Sequence, residues 1–336
     1  MKLKEIGEFG FIDRIKSLCL ISEENVIKPI GDDCAVYELE GSRVGLMTTD
    51  MLVENIHFLR NRMTPFELGY KTLAVNLSDI AAMGGTPRHA FLSIAIPEDV
   101  SVEFLDELYE GMLSLGKEYR VNVLGGDTAG SKTDLVLNIA LIGEATRDQV
   151  LYRDGAKPGD RIYVNGCLGE SAAGLELLLG DLDIKGTLRR HLLNSHFQPE
   201  VFVRQGRFLA QSGFVTACID LSDGISSDIS HVCRESGVGA VLHRSDLPVS
   251  PELKEFSDIT GKDPNDIILA GGEDYRLLFT VQKDNAAELE KRYKDKFGSP
   301  LFCVGEITEG REILLKDERA LLSRLSPAGW DHFSTD

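Results

Sequence analysis

Apolar positions recur with the period of a helix in some segments of the chain and with that of a strand in others. The clearest helical pattern covers residues 65–83, where apolar side chains return every three or four positions. Thr64 can cap this segment, Pro65 suits the first helical position, and Glu67 completes a capping box. The glycine pair Gly84-Gly85 follows. The pattern therefore predicts one amphipathic helix over 65–83.

The same segment carries a second, polar stripe. Thr72, Asn76 and Asp79 stand at helical spacing and share a face that differs from the apolar one. Solvent exposure is the simplest explanation of such a stripe. Because its neighbours are mostly apolar, we favour a polar site on this face of the helix.

Strand-like and helix-like segments alternate along the rest of the chain, which predicts an α/β fold with α+β layering. The strongest cluster of turn residues covers 153–160, near the middle of the 336 residues. Length and turn cluster together predict two domains, 1–150 and 151–336. The strands are predicted at 90–96, 135–142, 161–165, 214–220, 240–243, 275–281 and 301–307, and the further helices at 101–119, 171–179 and 222–235.

Composition narrows the classes of partner. With 36 basic and 54 acidic residues the net charge is −18, which disfavours nucleic acid and anionic membranes. The six cysteines form no CxxC pair, as expected of buried thiols in a reducing compartment. No segment approaches the roughly 18 apolar residues of a membrane helix. We expect a soluble cytoplasmic protein that binds neither nucleic acid nor membrane.

Aspartates stand where predicted strands or helices end, at several places along the chain. Any one of them is most simply a turn or cap residue, because its carboxylate bonds local amides. The repetition, with glycine or hydroxyl residues beside it, favours a cleft of carboxylates that holds hard divalent cations and phosphates. No GxxxxGK[ST], GxGxxG, GxSxG or HExxH motif accompanies them, so phosphoryl chemistry without a nucleotide loop is predicted. The aspartates belong to the segments 31–33, 48–50, 76–79, 125–127, 220–224 and 271–274.

In this order, the segments resemble the thiamine-monophosphate kinase family, which belongs to the superfamily of aminoimidazole ribonucleotide synthetase. Single motifs are weak, but the series is specific and covers nearly the whole chain. At Asn55-Ile56 the sequence departs from relatives that often have a glycine-containing pair. The resemblance is carried by GDDCA at 31–35, TTDMLVE at 48–54 with His57-Phe58, 71–84, GGDT at 125–128, RDGAKPGD at 153–160, IDLSDG at 219–224, GGEDY at 271–275 and WDHF at 330–333.

The resemblance implies an activity and an assembly. It implies transfer of the γ-phosphoryl group of ATP to thiamine monophosphate, which gives thiamine diphosphate, with several Mg²⁺ ions. It also implies a two-domain fold like that of aminoimidazole ribonucleotide synthetase, and a homodimer formed through a barrel of N-terminal strands. No general base is assigned, because the attacking phosphate oxygen is already ionised at neutral pH.

The resemblance further implies the roles of individual residues. Gly126, Asp127, Arg153 and Ser222 correspond to ATP-binding positions, and His57, Glu273 and Trp330 to substrate-binding positions. The implied metal ligands are Asp33, Thr48, Thr49, Asp50, Asp79, Asp127, Asp220 and Asp223.

Two other functions compete with this one. The chain could be another ATP-using enzyme of the superfamily, similar to aminoimidazole ribonucleotide synthetase. It could also be a non-catalytic acidic protein that binds metal, although this leaves Arg153 and the glycine pairs without a role. For single residues the plainer alternatives are a surface arginine at 153 and a packing role for Trp330.

Overall fold

The computed structural model describes residues 3–180 and 182–326, which form a mixed α/β fold with two sheets. The first half contains one six-stranded sheet and three α-helices. Its elements are α1 (Gly7–Cys19), β1 (Val26–Lys28), β2 (Ala35–Glu38), β3 (Arg43–Val53), α2 (Pro65–Ala82), β4 (Thr86–Pro97), α3 (Val102–Tyr119), β5 (Asn122–Ser131) and β6 (Val136–Thr146).

The second half contains a seven-stranded sheet and the remaining helices. Short 3₁₀ helices lie at Leu3–Glu5, Arg147–Gln149 and Arg244–Asp246. The other elements are β7 (Arg161–Val164), α4 (Glu170–Leu179), α5 (Gly186–Phe197), α6 (Val203–Ser212), β8 (Val215–Asp220), α7 (Ile225–Ser236), β9 (Gly239–His243), α8 (Pro251–Thr260), α9 (Pro264–Ala270), β10 (Leu277–Val281), α10 (Lys283–Phe297), β11 (Phe302–Thr308), β12 (Ile313–Lys316) and β13 (Leu322–Arg324).

The two sheets are mostly antiparallel. The first has the strand order β1-β2-β3-β6-β4-β5, and its one parallel pair is β4 with β5. The second has the order β13-β12-β9-β11-β7-β10-β8, with β12 and β9 as its parallel pair. Because β5 and β8 lie at sheet edges, the backbone groups on their outer side are not paired within the sheet.

Helix α2 lies between the two halves. It packs against β3 and α3 of the first half and against α6 and β8 of the second. Gly206 of α6 touches the α2 backbone, since a Cβ there would lie 1.9 Å from the carbonyl oxygen of Ala81. A larger residue at Gly206 would therefore separate the halves.

The structure confirms the prediction of helix α2. The Thr64 side chain accepts a hydrogen bond from the amide of Glu67, the Glu67 side chain accepts one from the amide of Thr64, and the helix ends at Ala82. Thr72 and Asn76 are buried at 1% and 0% exposure, so solvent exposure is the wrong interpretation of the polar stripe.

The expectation that the aspartates mark strand ends is wrong for two of them. Asp50 lies inside β3, paired with Ile139, and Asp127 lies inside β5, paired with Ser93. A polar residue does not end a strand, because successive side chains point to opposite faces while the backbone ladder continues. The domain boundary near residue 150 stays a prediction. Among the described residues, no helix is long and apolar enough to cross a membrane.

Candidate active site

Three aspartates from distant parts of the chain converge beside α2. Carboxylate oxygens of Asp33, Asp79 and Asp220 lie within 4.8 Å of one another. Asp33 precedes β2, Asp79 lies in the last turn of α2, and Asp220 ends β8. Asp33 and Asp220 are 7% and 2% exposed, so the group sits in a buried cleft between the halves. We call these three residues the aspartate cluster.

Neighbouring polar side chains fix the cluster. The Ser78 hydroxyl donates to Oδ2 of Asp220 at 2.6 Å, and the Thr48 hydroxyl donates to Oδ2 of Asp79. Asn76 belongs to the same arrangement, because its Oδ1 accepts the backbone amide of Asp50 at 3.1 Å. The polar stripe of α2 is thus a supporting layer that ties the helix to β3 at the cluster.

Charge repulsion and burial work against ionisation of these carboxyl groups. Burial, and after it the charge of the nearby Asp33, raises the pKa of Asp220 to about 8. The same two causes raise the pKa of Asp50 to about 6. For Asp79, burial and then the charges of Asp50, Asp220 and Asp33 hold the pKa well above its usual value. A site that must work with all of these groups ionised requires added positive charge.

The donor set fits Mg²⁺. Oδ2 of Asp33 is buried and has no hydrogen-bond partner, so it lacks the compensation that a buried carboxylate oxygen needs. The cluster offers carboxylate oxygens alone, which are the ligands of hard divalent cations rather than of zinc or copper. A cation among Asp33, Asp79 and Asp220 would satisfy the orphaned oxygen and remove the repulsion.

Arg153 provides positive charge at one edge of the cluster. Its Nε donates to Oδ1 of Asp33 at 3.1 Å, and its backbone amide donates to Oδ1 of Asp32 at 3.2 Å. Burial lowers the pKa of the guanidinium, but the charge and hydrogen bond of Asp33 and the charges of Asp32 and Asp220 together outweigh burial and raise it. The side chain is 20% exposed, so Arg153 is not a free surface arginine.

Other predicted ligands lie outside the cluster. Asp223 forms a separate group with Asp228 and His231, whose ligand atoms also lie within 4.8 Å of one another. Asp127 is exposed on the edge strand β5, where its Oδ1 accepts the amide of Thr128 at 2.9 Å. The Thr49 side chain points to the opposite sheet face from Thr48, as strand alternation requires.

Gly126 brings β5 very close to β4. Its φ is +153°, and a Cβ at this position would lie 1.6 Å from the carbonyl oxygen of Leu92. Only glycine fits this approach. The packing of β5 on β4 therefore requires glycine at this position.

The two described substrate candidates lie close enough to interact. Nδ1 of His57 accepts the amide of Val53 at 3.0 Å, and the charge of His57 acts on Glu273. The loop before His57 turns at Asn55, whose φ of 65° is left-handed, a conformation that asparagine tolerates almost as glycine does. The amide of Glu273 donates to the carbonyl of Ser222 at 2.7 Å. This hydrogen bond connects a residue predicted to bind the substrate with one predicted to bind ATP. Trp330 lies outside the described residues.

The sequence analysis assigned no role to several residues of the site. Asp32 stands in the GDD segment beside Asp33, and burial followed by the Asp33 charge raises its pKa to about 7. Lys71 is a charged residue on an apolar helix, which is a recognisable signal of a buried ion pair. Ser78 and Asp228 carry no such signal, because serine and aspartate at helical positions are usually exposed.

These pKa shifts predict how stability depends on pH when divalent cations are absent. Asp32 and Asp220 have folded pKa values of about 7 and about 8, above the unfolded value of roughly 3.9. Above pH 7 the folded state therefore binds more protons than the unfolded chain, and its stability falls as pH rises. Buried His196 and His231 do not contribute to this fall above pH 7. Burial lowers their pKa values to about 4 and about 3, so they make stability rise with pH, and that effect ends near pH 6.5.

We expect urea unfolding in EDTA to give a lower free energy at pH 8.5 than at pH 7, by up to about 1.4 kcal/mol per pH unit for each group. Asp220→Asn should flatten this dependence, and Mg²⁺ should weaken it. Rising stability between pH 7 and 8.5 in EDTA would contradict the buried, repelling arrangement of the cluster.

Comparisons with known proteins identify the family. The model of the N-terminal domain of AIR synthase related proteins matches residues 31–145, and that of their C-terminal domain matches residues 157–317. The chain is 35% identical to the thiamine-monophosphate kinase of Aquifex aeolicus, over 99% of this chain and 100% of that protein. It is 36% identical to the Escherichia coli K12 thiamine-monophosphate kinase, over 98% of this chain and 99% of that protein.

A solved structure extends the likeness to the fold. The AaThiL structure complexed with AMPPCP and TMP superposes with a TM-score of 0.87 at 35% identity, over 99% of each chain. Both domain models match in the order found in the chain, and the similarity to the kinases covers nearly its whole length. The chain therefore belongs to the thiamine-monophosphate kinase family of AIR synthase related proteins.

Proposed function

We propose that this protein transfers the γ-phosphoryl group of ATP to thiamine monophosphate, giving ADP and thiamine diphosphate. The observation that carries the proposal is the aspartate cluster, with an orphaned oxygen on Asp33, in a chain similar over its full length to thiamine-monophosphate kinases. A structural relative holds AMPPCP and TMP, which fits ATP and a monophosphate as the two substrates. The reaction belongs in the cytoplasm, where the six cysteines would stay reduced, as they are in the structure.

The chain needs no nucleophile of its own in this reaction. An ionised phosphate oxygen of thiamine monophosphate attacks the γ-phosphorus of ATP, the bond to the β-γ bridging oxygen breaks, and ADP leaves with that oxygen. Positioning and electrostatic stabilisation then account for the rate. Gly126, Asp127, Arg153 and Ser222 hold the nucleotide, while His57, Glu273 and Trp330 hold the organic part of the acceptor.

Asp33, Asp79 and Asp220 would hold Mg²⁺, with Asp50 and Thr48 beside them. The remaining predicted ligands, Thr49, Asp127 and Asp223, would serve further ions or the nucleotide. Bound Mg²⁺ supplies charge neutralisation between the two polyanions and on the transferring group. Arg153 can exchange its contact with Asp33 for a phosphate oxygen once that carboxylate has a cation partner.

The direct test is a product assay. The protein is incubated with ATP, Mg²⁺ and thiamine monophosphate, and thiamine diphosphate and ADP are separated and measured. Formation of both in equal amounts supports the proposal. ATP turnover that ignores thiamine monophosphate would favour another ATP-using enzyme of the superfamily. Metal binding without ATP turnover would favour a non-catalytic protein.

Transfer should be direct, because the chemistry requires no phosphorylated residue. Stopping the reaction of γ-labelled ATP in acid and in base should leave label in thiamine diphosphate alone. A labelled protein that passes its phosphate to thiamine monophosphate in a second step would overturn this mechanism.

We also infer a homodimer formed through the six-stranded sheet. This sheet exposes large apolar side chains on β3, β4 and β5, and in the sheet β3 lies on one side of β6 while β4 and β5 lie on the other. An apolar sheet face of this kind is covered in stable proteins, and a second copy offers the matching surface. Light scattering should give twice the chain mass, and aspartate substitutions on this face should give monomers. The side chains are Met47, Met51, Phe91 and Leu124, which are 45%, 52%, 39% and 56% exposed.

Trp330 gives a prediction about the substrate. An indole face suits the thiazolium cation or the flat pyrimidine of thiamine, at roughly 0.5–2 kcal/mol. Trp330→Ala should raise KM for thiamine monophosphate about ten-fold, which is ~1.4 kcal/mol, and leave KM for ATP nearly unchanged. Because it is the one tryptophan in the sequence, protein emission should respond to added thiamine monophosphate. Unaltered emission together with a normal KM would assign Trp330 a packing role.

A further inference from the structure

Lys71 is a charged residue in the buried part of α2 that the mechanism above does not use. Its side chain is 1% exposed, and its Nζ lies 2.9 Å from Oε2 of Glu273. The two residues stand 202 positions apart in the sequence, one in each half of the molecule. A lysine ammonium is buried only where an anion compensates it, so this pair joins the halves at one defined point.

A neutral histidine completes the contact. Nδ1 of His196 lies 3.1 Å from the same Oε2, and the Ser171 hydroxyl lies 3.1 Å from that nitrogen. Burial, followed by the charge of Lys71, lowers the pKa of His196 to about 4 against the opposing effect of Glu273. At pH 7 the ring is therefore uncharged and contributes a hydrogen bond, whereas Lys71 forms the ion pair with Glu273.

The result is a carboxylate held in one place and in one charge state. Burial alone raises the pKa of Glu273, but the neighbouring charge and hydrogen bond of Lys71 oppose burial, and the pKa lies below its usual value. The backbone of Glu273 has a left-handed φ of 61°, which is costly for a residue with a side chain. Lys71 and His196 both contact Oε2, and the Glu273 side chain as a whole is 26% exposed.

We propose that Lys71 is a positioning residue of the substrate site, which fixes Glu273 as a carboxylate that receives a cationic or N–H-donating heterocycle. This inference rests on the proposed function, in which the acceptor carries a thiazolium ring and an aminopyrimidine. Because α2 also carries Asp79 eight residues later, roughly 12 Å along the helix, one rigid element sets the distance between the acceptor's ring system and the cluster.

Substitution of Lys71 separates this role from a packing role. Lys71→Met keeps the length of the side chain and removes the charge. We expect KM for thiamine monophosphate to rise at least ten-fold at pH 7, with KM for ATP changed less than two-fold. Lys291→Met, at an exposed lysine of α10, is the matched control and should behave as wild type.

A double-mutant cycle gives the decisive comparison. In a Glu273→Gln background the carboxylate is absent, so adding Lys71→Met should change KM for thiamine monophosphate less than two-fold. The double variant also leaves no uncompensated buried charge, which keeps the test available if Lys71→Met alone does not fold. The inference would be overturned if the fold-changes in KM of the two single variants multiply in the double variant, or if Lys71→Met has a normal KM. Lys71 would then have only a structural role. A wild-type protein that forms no thiamine diphosphate would instead reject the proposed function itself.

Discussion

Replacement of Asp79 by asparagine should lower kcat by roughly 10²–10³-fold, the usual effect of removing one preorganised electrostatic stabiliser. Asp79 lies in the aspartate cluster at the end of a rigid helix, and its Oδ2 accepts the Thr48 hydroxyl. Asparagine keeps the shape of the side chain and removes the charge that a metal ligand needs. Steady-state rates at saturating ATP, Mg²⁺ and thiamine monophosphate measure the effect.

The same substitution should stabilise the metal-free protein. Burial and the neighbouring carboxylates oppose ionisation of Asp79, so its removal relieves repulsion with Asp50, Asp220 and Asp33. The control is Asp106→Asn, at an exposed aspartate of the neighbouring helix α3, which should alter neither rate nor stability. Near-normal turnover by Asp79→Asn would remove this residue from the metal site.

Removal of the Arg153 side chain should reduce stability strongly when no divalent cation is present. In Arg153→Ala the buried carboxylate of Asp33 loses the guanidinium contact, a change that costs roughly 3–5 kcal/mol for buried pairs. Because Arg153 is 20% exposed, we expect the lower end of this range. Urea unfolding in EDTA measures the loss, and Mg²⁺ should restore much of it by compensating Asp33.

A surface pair provides the control for this prediction. Arg161 and Glu306 form a contact of 2.8 Å between side chains that are 27% and 42% exposed, so Arg161→Ala should cost less than about 1 kcal/mol. If Arg153 also contacts a phosphate of ATP, Arg153→Ala should raise KM for ATP more than for thiamine monophosphate. Equal losses in both variants, with an unchanged KM for ATP, would leave Arg153 without a special role.

Local signals made helix α2 predictable, whereas α1 and the short strands β1 and β2 were not predicted. The cap formed by Thr64 and Glu67 predicts the start of helix α2. The glycines after Met83 predict its end to within one residue of the observed end at Ala82. The polar stripe on α2 indicated a site, because a buried helix face tolerates Thr72 and Asn76 only where they find partners. Strand alternation could also have separated Thr48 from Thr49, a distinction that the family resemblance did not make.

What the sequence could not predict depends on how the halves pack. No local pattern connects Lys71 with Glu273, or Ser78 with Asp220 across 142 positions. The strand boundaries around Asp50 and Asp127 follow from the ladders with β6 and β4, which continue past polar residues. Arg153 illustrates the same limit, because its burial against Asp32 and Asp33 depends on contacts across 121 and 120 positions, respectively.

The place of α2 between the halves has a consequence for folding. Asp33 and Asp79 belong to the first half and Asp220 to the second, and Gly206 rests on the backbone of Ala81 at the same seam. An ion bound to all three carboxylates is therefore lost as soon as the seam opens, so its binding energy adds to the cooperativity of unfolding rather than to either half alone. In Mg²⁺ the two halves should melt in one calorimetric transition, and amide exchange in α2 and α6 should slow together.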